Sequence, residues 1–222
     1  MIKLLQFLKK PTSGTDKKAL RYFVQNIYWG KDLTPETAKR NLEKGLIEIV
    51  HRGRHIANGL LMTKSGFFVT SQHCLSGSVR GIKIRASNGK LFGIDFICLS
   101  DKEKDIALAK AKIPGAEEPM KYKYFDVTET KSTPMVLMTR RGGKIIIKGG
   151  HTYGQSVSLG TNGGVLLLQE IASEPGDSGG AITSVDGRLI GIHNSKLRGE
   201  KYIGFYTAWH DVLKLISLFS EQ

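Results

Sequence analysis

The stretch Glu174-Pro175-Gly176-Asp177-Ser178-Gly179-Gly180 holds residue types suited to nucleophilic catalysis. Ser178 sits among small residues, so its hydroxyl can be exposed where the chain turns. Glycines on both sides admit positive φ, and such a turn can aim two backbone N–H groups, those of Gly176 and Ser178, at one point. Convergent donors of this kind stabilise the negative oxygen that forms when a carbonyl is attacked. A serine hydroxyl is a weak nucleophile until a base takes its proton. The chemistry therefore calls for a histidine and, to orient it, a carboxylate. His73 lies in Val69-Thr70-Ser71-Gln72-His73-Cys74, and Asp105 lies 32 residues on, in Lys104-Asp105-Ile106-Ala107-Leu108. Asp95, Asp101 and Glu103 are other carboxylates that could serve as the third member. The remaining histidines, His51, His55, His151, His193 and His210, lack this setting for a base.

The elements that must position these residues read as short strands. Leu46–Val50, Gly59–Thr63 and Phe67–Thr70 are β-prone, with Lys64-Ser65-Gly66 as a turn, and His73 falls just past the third. Ile82–Ala86 alternates with period two, Ser87-Asn88-Gly89-Lys90 is a hairpin turn, and Leu91–Cys98 returns. Asp105–Ala109 is one more strand. Beyond a boundary at Pro114–Pro119, Met135–Thr139, Lys144–Lys148, Val165–Gln169, Gly179–Thr183, Leu189–His193 and Tyr202–Thr207 repeat the style. Ala208, Trp209, Val212, Leu213, Leu215, Ile216 and Phe219 fall at helical spacing. Upstream, Leu4, Leu5 and Leu8 could face one side of a short helix broken at Pro11-Thr12-Ser13-Gly14. Thr34 and Pro35 open a second helix that runs to Lys44. Many short strands with glycine turns and one closing helix suggest an all-β protein built as barrels or a sandwich, preceded by a partly helical basic extension over residues 1–44.

Composition narrows the classes. Across 222 residues, 40% are hydrophobic and 26 are glycine, which fits a turn-rich globular protein rather than a disordered one. No apolar run reaches membrane-spanning length. Two cysteines, Cys74 and Cys98, make no disulfide framework and read as free thiols in a reducing compartment. With no signal peptide apparent at the start, this points to the cytoplasm or a host-cell cytosol. No metal or organic cofactor is implied. The formal net charge is +13, and residues 1–44 carry ten Lys/Arg against four Asp/Glu. Such a surface attracts nucleic acid or other anionic surfaces. A basic nucleic-acid-binding or scaffold protein is thus a rival reading, motivated also by Arg140-Arg141-Gly142-Gly143-Lys144.

In their order along the chain, the three pieces around His73, Asp105 and Ser178 resemble the trypsin-like serine peptidases of chymotrypsin fold. The resemblance covers residues 45–220. It implies two Greek-key β-barrels, residues 45–115 carrying His73 and Asp105 and residues 116–222 carrying Ser178 and the C-terminal helix, with the active site in the cleft between them. It also implies a Ser178-His73-Asp105 triad, an oxyanion hole from the Gly176 and Ser178 amides, and a polypeptide substrate. Gly191-Ile192-His193 and Ser173 are similar to the pocket residues of glutamyl endopeptidases and viral chymotrypsin-like main proteases. That implies a preference for Glu or Gln before the cut, with Ser173, His193, Asn194, Ser195, Lys196 and Gly204 lining the substrate site. A small apolar preference, as in high-temperature-requirement proteases, stays open. Ala172 stands six before Ser178, where a Lys- or Arg-specific enzyme has an acidic residue. Relatives that bond a cysteine beside the catalytic histidine to the preceding strand have their partner where this chain has Asn58. In secreted relatives a freed N-terminal amine pairs with the residue at Asp177. Here 44 residues precede the strands, so Asp177 is expected to manage without one.

Overall fold

The structure is a computed structural model that describes residues 18, 21, 33–77, 79–115, 118–124, 132–159 and 164–221. The expected leucine-faced helix and its break at Pro11–Gly14 lie outside the described residues. Helix α1 spans Pro35–Gly45 and is capped by Thr34, whose hydroxyl accepts from Thr37 N at 3.3 Å. It buries Ala38 and Leu42 and ends at Gly45, where a Cβ would stand 1.9 Å from the Tyr122 hydroxyl.

Six strands follow: β1 (Leu46–His51), β2 (Arg54–Leu61), β3 (Phe67–Thr70), β4 (Ile82–Arg85), β5 (Leu91–Asp101) and β6 (Ile106–Ala111). They close into an antiparallel barrel in the order β1-β2-β3-β6-β5-β4. A second six form the same circuit: β7 (Thr133–Arg141), β8 (Lys144–Leu159), β9 (Gly164–Ile171), β10 (Ala181–Ser184), β11 (Leu189–Lys196) and β12 (Ile203–Ala208), ordered β7-β8-β9-β12-β11-β10. This is the expected chymotrypsin-like fold, and closing each sheet leaves it no edges.

The strands are longer than their apolar runs. β2 begins at Arg54 rather than Gly59, because a tight turn at Arg52-Gly53, both at positive φ, pairs His51 with Arg54. β8 continues far past Lys148 along β9. Polar residues on a strand's outer face carry no hydrophobic signal but still pair.

Helix α2 (Trp209–Glu221) closes the chain. Its Trp209, Leu213, Ile216 and Phe219 pack into one cluster with Leu42 of α1, Leu46, Leu60 and Phe67 of the first barrel, and Met138 and Leu189 of the second. Ile47, Phe68 and Ala109 fill the first barrel, and Leu137, Ile182 and Tyr206 the second. This cluster draws residues from both barrels and from both helices, and His73 and Ser178 meet across the junction of the barrels. No helix among the described residues is long and apolar enough to cross a membrane.

Trp209 has no exposed surface and is the largest side chain in that cluster. Trp209→Ala is expected to lower the unfolding free energy by about 3–5 kcal/mol, read as an earlier midpoint in guanidinium titration.

Candidate active site

The Ser178 turn joins β9 to β10. Gly176 adopts φ +97° and Gly179 φ +79°, backbone shapes that favour glycine. Asp177 N donates to Glu174 O at 3.0 Å and Gly180 N to Asp177 O at 3.0 Å, which closes the turn. No described group takes the hydrogens of the Gly176 and Ser178 amides. The turn is held from the first barrel by Asn58 and His55. Asn58 Nδ2 donates to Gly176 O at 2.8 Å, Asn58 N to Ser178 O at 2.7 Å, and His55 Nε2 to Gly176 O at 2.9 Å. A Cβ at Gly179 would lie 1.9 Å from the Asn58 carbonyl, so this approach needs glycine.

Asp177 is buried, with 1% exposure. Its carboxylate meets Lys148 Nζ at 2.7 Å and Arg141 Nη2 at 3.5 Å, and accepts from Glu174 N at 2.7 Å. The sequence suggested only that Asp177 needs no freed amine. It gave no sign of these two cations, because Lys148 follows Ile145, Ile146 and Ile147 and looks like a strand's solvent-facing end.

His73 stands on a short 3-10 turn, Gln72–Leu75, directly after β3. Its Nε2 lies 3.1 Å from Ser178 Oγ and its Nδ1 lies 2.8 Å from Asp105 Oδ2. Asp105 Oδ1 also accepts from His73 N at 3.0 Å. Thus the structure brings His73, Asp105 and Ser178 together across the barrel junction, while Asp95 lies 3.9 Å from Lys112 Nζ and Asp101 accepts from the backbone N–H of Glu103 and of Lys104 in its own turn. Asp105 has φ +46°, a conformation uncommon outside glycine that costs on the order of 1–3 kcal/mol. Asn194 offsets that strain. Its Nδ2 donates to Asp105 O at 2.7 Å and to Asp105 Oδ2 at 2.9 Å, and its Oδ1 accepts from Thr207 N at 2.8 Å.

Sequence reasoning assigned Asn194 a place along the substrate edge through its backbone and did not foresee the role of its side chain. The residue is fully buried and turns its side chain inward onto Asp105. Its carbonyl accepts from Ser178 Oγ at 2.7 Å. Ser178 has one hydroxyl hydrogen, so while it points at Asn194 the Nε2 contact needs a proton on the ring. The Asp105 hydrogen bond, and after it the Cys74 thiol 3.5 Å from Nε2, raise the His73 pKa from 6.5 to about 10. Water at the half-exposed ring weakens this pull. In the neutral ring the hydroxyl can swing its hydrogen to Nε2.

Of the other expected residues, His193, Ser195 and Lys196 lie on β11, Gly204 on β12 and Ser173 just after β9. His193 is 2% exposed, and burial lowers its pKa to about 4, so the ring is neutral. Its Nδ1 contacts the side-chain amide of Gln169, a fully buried residue that sequence reasoning missed. Gly204 pairs with Lys196, and a Cβ there would meet Ser195 O at 2.9 Å and Gln169 Nε2 at 3.0 Å. Ser173 is 5% exposed, Ser195 partly exposed and Lys196 exposed. No disulfide joins Cys74 and Cys98. Among the described residues, no group of three or more His, Cys, Asp or Glu is arranged to hold a metal ion.

Comparison with known proteins agrees with this architecture. The profile of the trypsin-like peptidase domain matches residues 57–192. A curated relative, the anti-sigma-I factor RsgI9 of Acetivibrio thermocellus, is 30% identical over 146 residues, which is 65% of this chain; the match spans 19% of the relative's length. The active form of the Rv3671c protease from M. tuberculosis superposes with a TM-score of 0.63 at 17% identity, covering 80% of this chain and 82% of that one. A serine endoprotease from Yersinia pestis superposes with a TM-score of 0.64 at 17% identity, covering 86% and 68%. At these identities the solved structures speak to the fold.

The Asp105 carboxylate favours the charged imidazole, so His73 should titrate above 6.5 by NMR. Asp105→Asn should bring it down by at least about one unit. The sign for stability follows: this contribution is full below the unfolded value of 6.5 and is lost as pH rises through the folded value. Wild type and Asp105→Asn should therefore converge in stability at high pH.

Proposed function

This chain belongs to the trypsin-like peptidase family of serine endopeptidases, and from that premise we propose that Ser178, His73 and Asp105 cut peptide bonds by acyl transfer, after glutamate or glutamine. The observation that carries the reading is the unbroken line from Asp105 Oδ2 through the His73 ring to Ser178 Oγ, at 2.8 and 3.1 Å. Neutral His73 takes the Ser178 proton as Oγ attacks the carbonyl carbon. Asp105 holds the far nitrogen and stabilises the imidazolium. The oxygen that gains charge lies against the Gly176 and Ser178 amides, and one such donor is worth about 10²–10³ in kcat. The imidazolium then protonates the leaving amine as the C–N bond breaks. Water, deprotonated by His73, releases the acid and restores Ser178. Because the attack needs the neutral ring, activity rises with pH through the raised His73 value.

For the residue before the cut, His193 supplies the argument. A neutral imidazole with Nδ1 engaged leaves Nε2 to bond a side-chain amide or carboxyl oxygen. Gly204 keeps the neighbouring wall free of a side chain, Ser173 and Ser195 add hydroxyls, and exposed Lys196 and Arg198 add positive potential.

An active-site fluorophosphonate should label the wild type and leave Ser178→Ala unlabelled; equal labelling of both would sink the nucleophile assignment. In a proteome-derived peptide library, cleavage should cluster after Glu or Gln. His193→Ala should cut kcat/KM for those sites by about 10- to 100-fold, as loss of one or two hydrogen bonds implies. A profile dominated by small apolar residues would refute the pocket reading while sparing the triad.

A further inference from the structure

Asp177 stands between the two amides that form the proposed oxyanion hole, so any reorientation of its backbone swings both of them. A carboxylate shut away from water is tolerated only among cations and N–H donors. Its cations come from one hairpin of its own barrel: Lys148 from β8, at 2.7 Å and 19% exposed, and Arg141 from the end of β7, at 3.5 Å. Arg141 Nη2 also donates to Pro175 O at 3.0 Å, within the same turn. Glu174 Oε2, 3.6 Å from Arg141 and 3.8 Å from Lys148, lies outside at 63% exposure and closes the cluster. Lys148 is held in place because β8 pairs with β7 continuously from Lys144 to Thr152. The anchor is thus built from covalently fixed strand residues and needs no chain terminus.

We propose that Lys148 is a positioning residue whose ion pair with Asp177 keeps the Gly176–Ser178 turn in its catalytic shape, so that the peptidase works with residues 1–44 still attached. This rests on the triad reading, and Ser178→Ala separates the two: if that variant keeps full activity, the triad reading itself has failed.

The test uses the full chain and a peptide substrate. Lys148→Met keeps the length of the side chain and removes its charge. Its kcat should fall by about 10- to 100-fold, less than the roughly 10²–10³ that outright loss of an oxyanion donor costs because the two amides are displaced rather than removed, while KM stays within about twofold, since ground-state binding is untouched. Lys148→Arg should restore most of the rate. Asp177→Asn should lose rate similarly, and the double variant Lys148→Met/Asp177→Asn should be no worse than either alone, as coupled partners behave. A folded Lys148→Met with wild-type kcat overturns the proposal, as does a rise in KM alone. If Lys148→Met does not fold, the double variant, which leaves no unpaired charge, decides by the same kcat criterion. Activity that appears only after residues 1–44 are trimmed away also overturns it.

Discussion

Asn58 is the contact on which the junction of the two barrels depends. It is fully buried, and every polar group it carries is used. Its backbone N–H reaches Ser178 O, its carbonyl accepts the Thr70 hydroxyl at 2.6 Å, its Nδ2 holds Gly176 O, and its Oδ1 accepts Arg140 N at 2.7 Å. A buried amide is affordable only when satisfied in this way. Once it is, β2 of the first barrel, β7 of the second and the Ser178 turn are fixed to one another. Glu48 adds a second stitch, since its carboxylate accepts from Gly143 N of the second barrel at 2.6 Å and from Arg85 of the first. Hydrophobic packing around Trp209 brings the barrels together, but it is not directional. The polar seam sets which atoms face which.

That seam is what places a strained residue usefully. Asp105 at φ +46° is held by Asn194 and Thr207 of the second barrel, since the Thr207 hydroxyl bonds Lys104 O and Asn194 bonds Asp105 O. The acid of the proposed triad therefore has a first-barrel backbone and second-barrel support. Neither barrel alone would orient it. Asn194 does double service, because its carbonyl also receives the Ser178 hydroxyl. Acid and nucleophile are thereby referred to the same residue.

Much of this was legible in the sequence, and what was not has a common cause. Gly176-Asp177-Ser178-Gly179-Gly180 announced a turn because glycine's freedom is a local property. The Asn88-Gly89 hairpin and the helical spacing from Trp209 were readable for the same reason. His73 and Asp105 stand out through the short motifs around them, which in their order with the Ser178 stretch resemble those of trypsin-like peptidases. Lys148, Gln169 and the inward turn of Asn194 were not found. Each is a polar residue whose partner lies on another strand, so its meaning is fixed by register rather than by neighbours. Strand periodicity says that Lys148 leaves the sheet on one face; only the pairing with β7 says that Asp177 waits there. The same holds for β2, whose polar start pairs through backbone groups that every residue has.

The two central histidines show how far environment outweighs residue type. His73 faces a carboxylate and stays half open to water, so it holds its proton tightly. His193, paired in register with Tyr206 of β12, is buried with an amide on Nδ1, and loss of water makes its charged form the costly one. The chain thus carries one imidazole disposed to accept a proton and one disposed to stay neutral and donate a hydrogen bond. Exchanging their surroundings would exchange their chemistry. The difference is made by Asp105 on one side and by burial beside Gln169 on the other. In the proposed reading, where His73 moves a proton and His193 reads a side chain, the two kinds of histidine must be kept apart. Here β11 does so structurally, with His193 inside the second barrel and Asn194, its neighbour in sequence, reaching out to the carboxylate that serves His73.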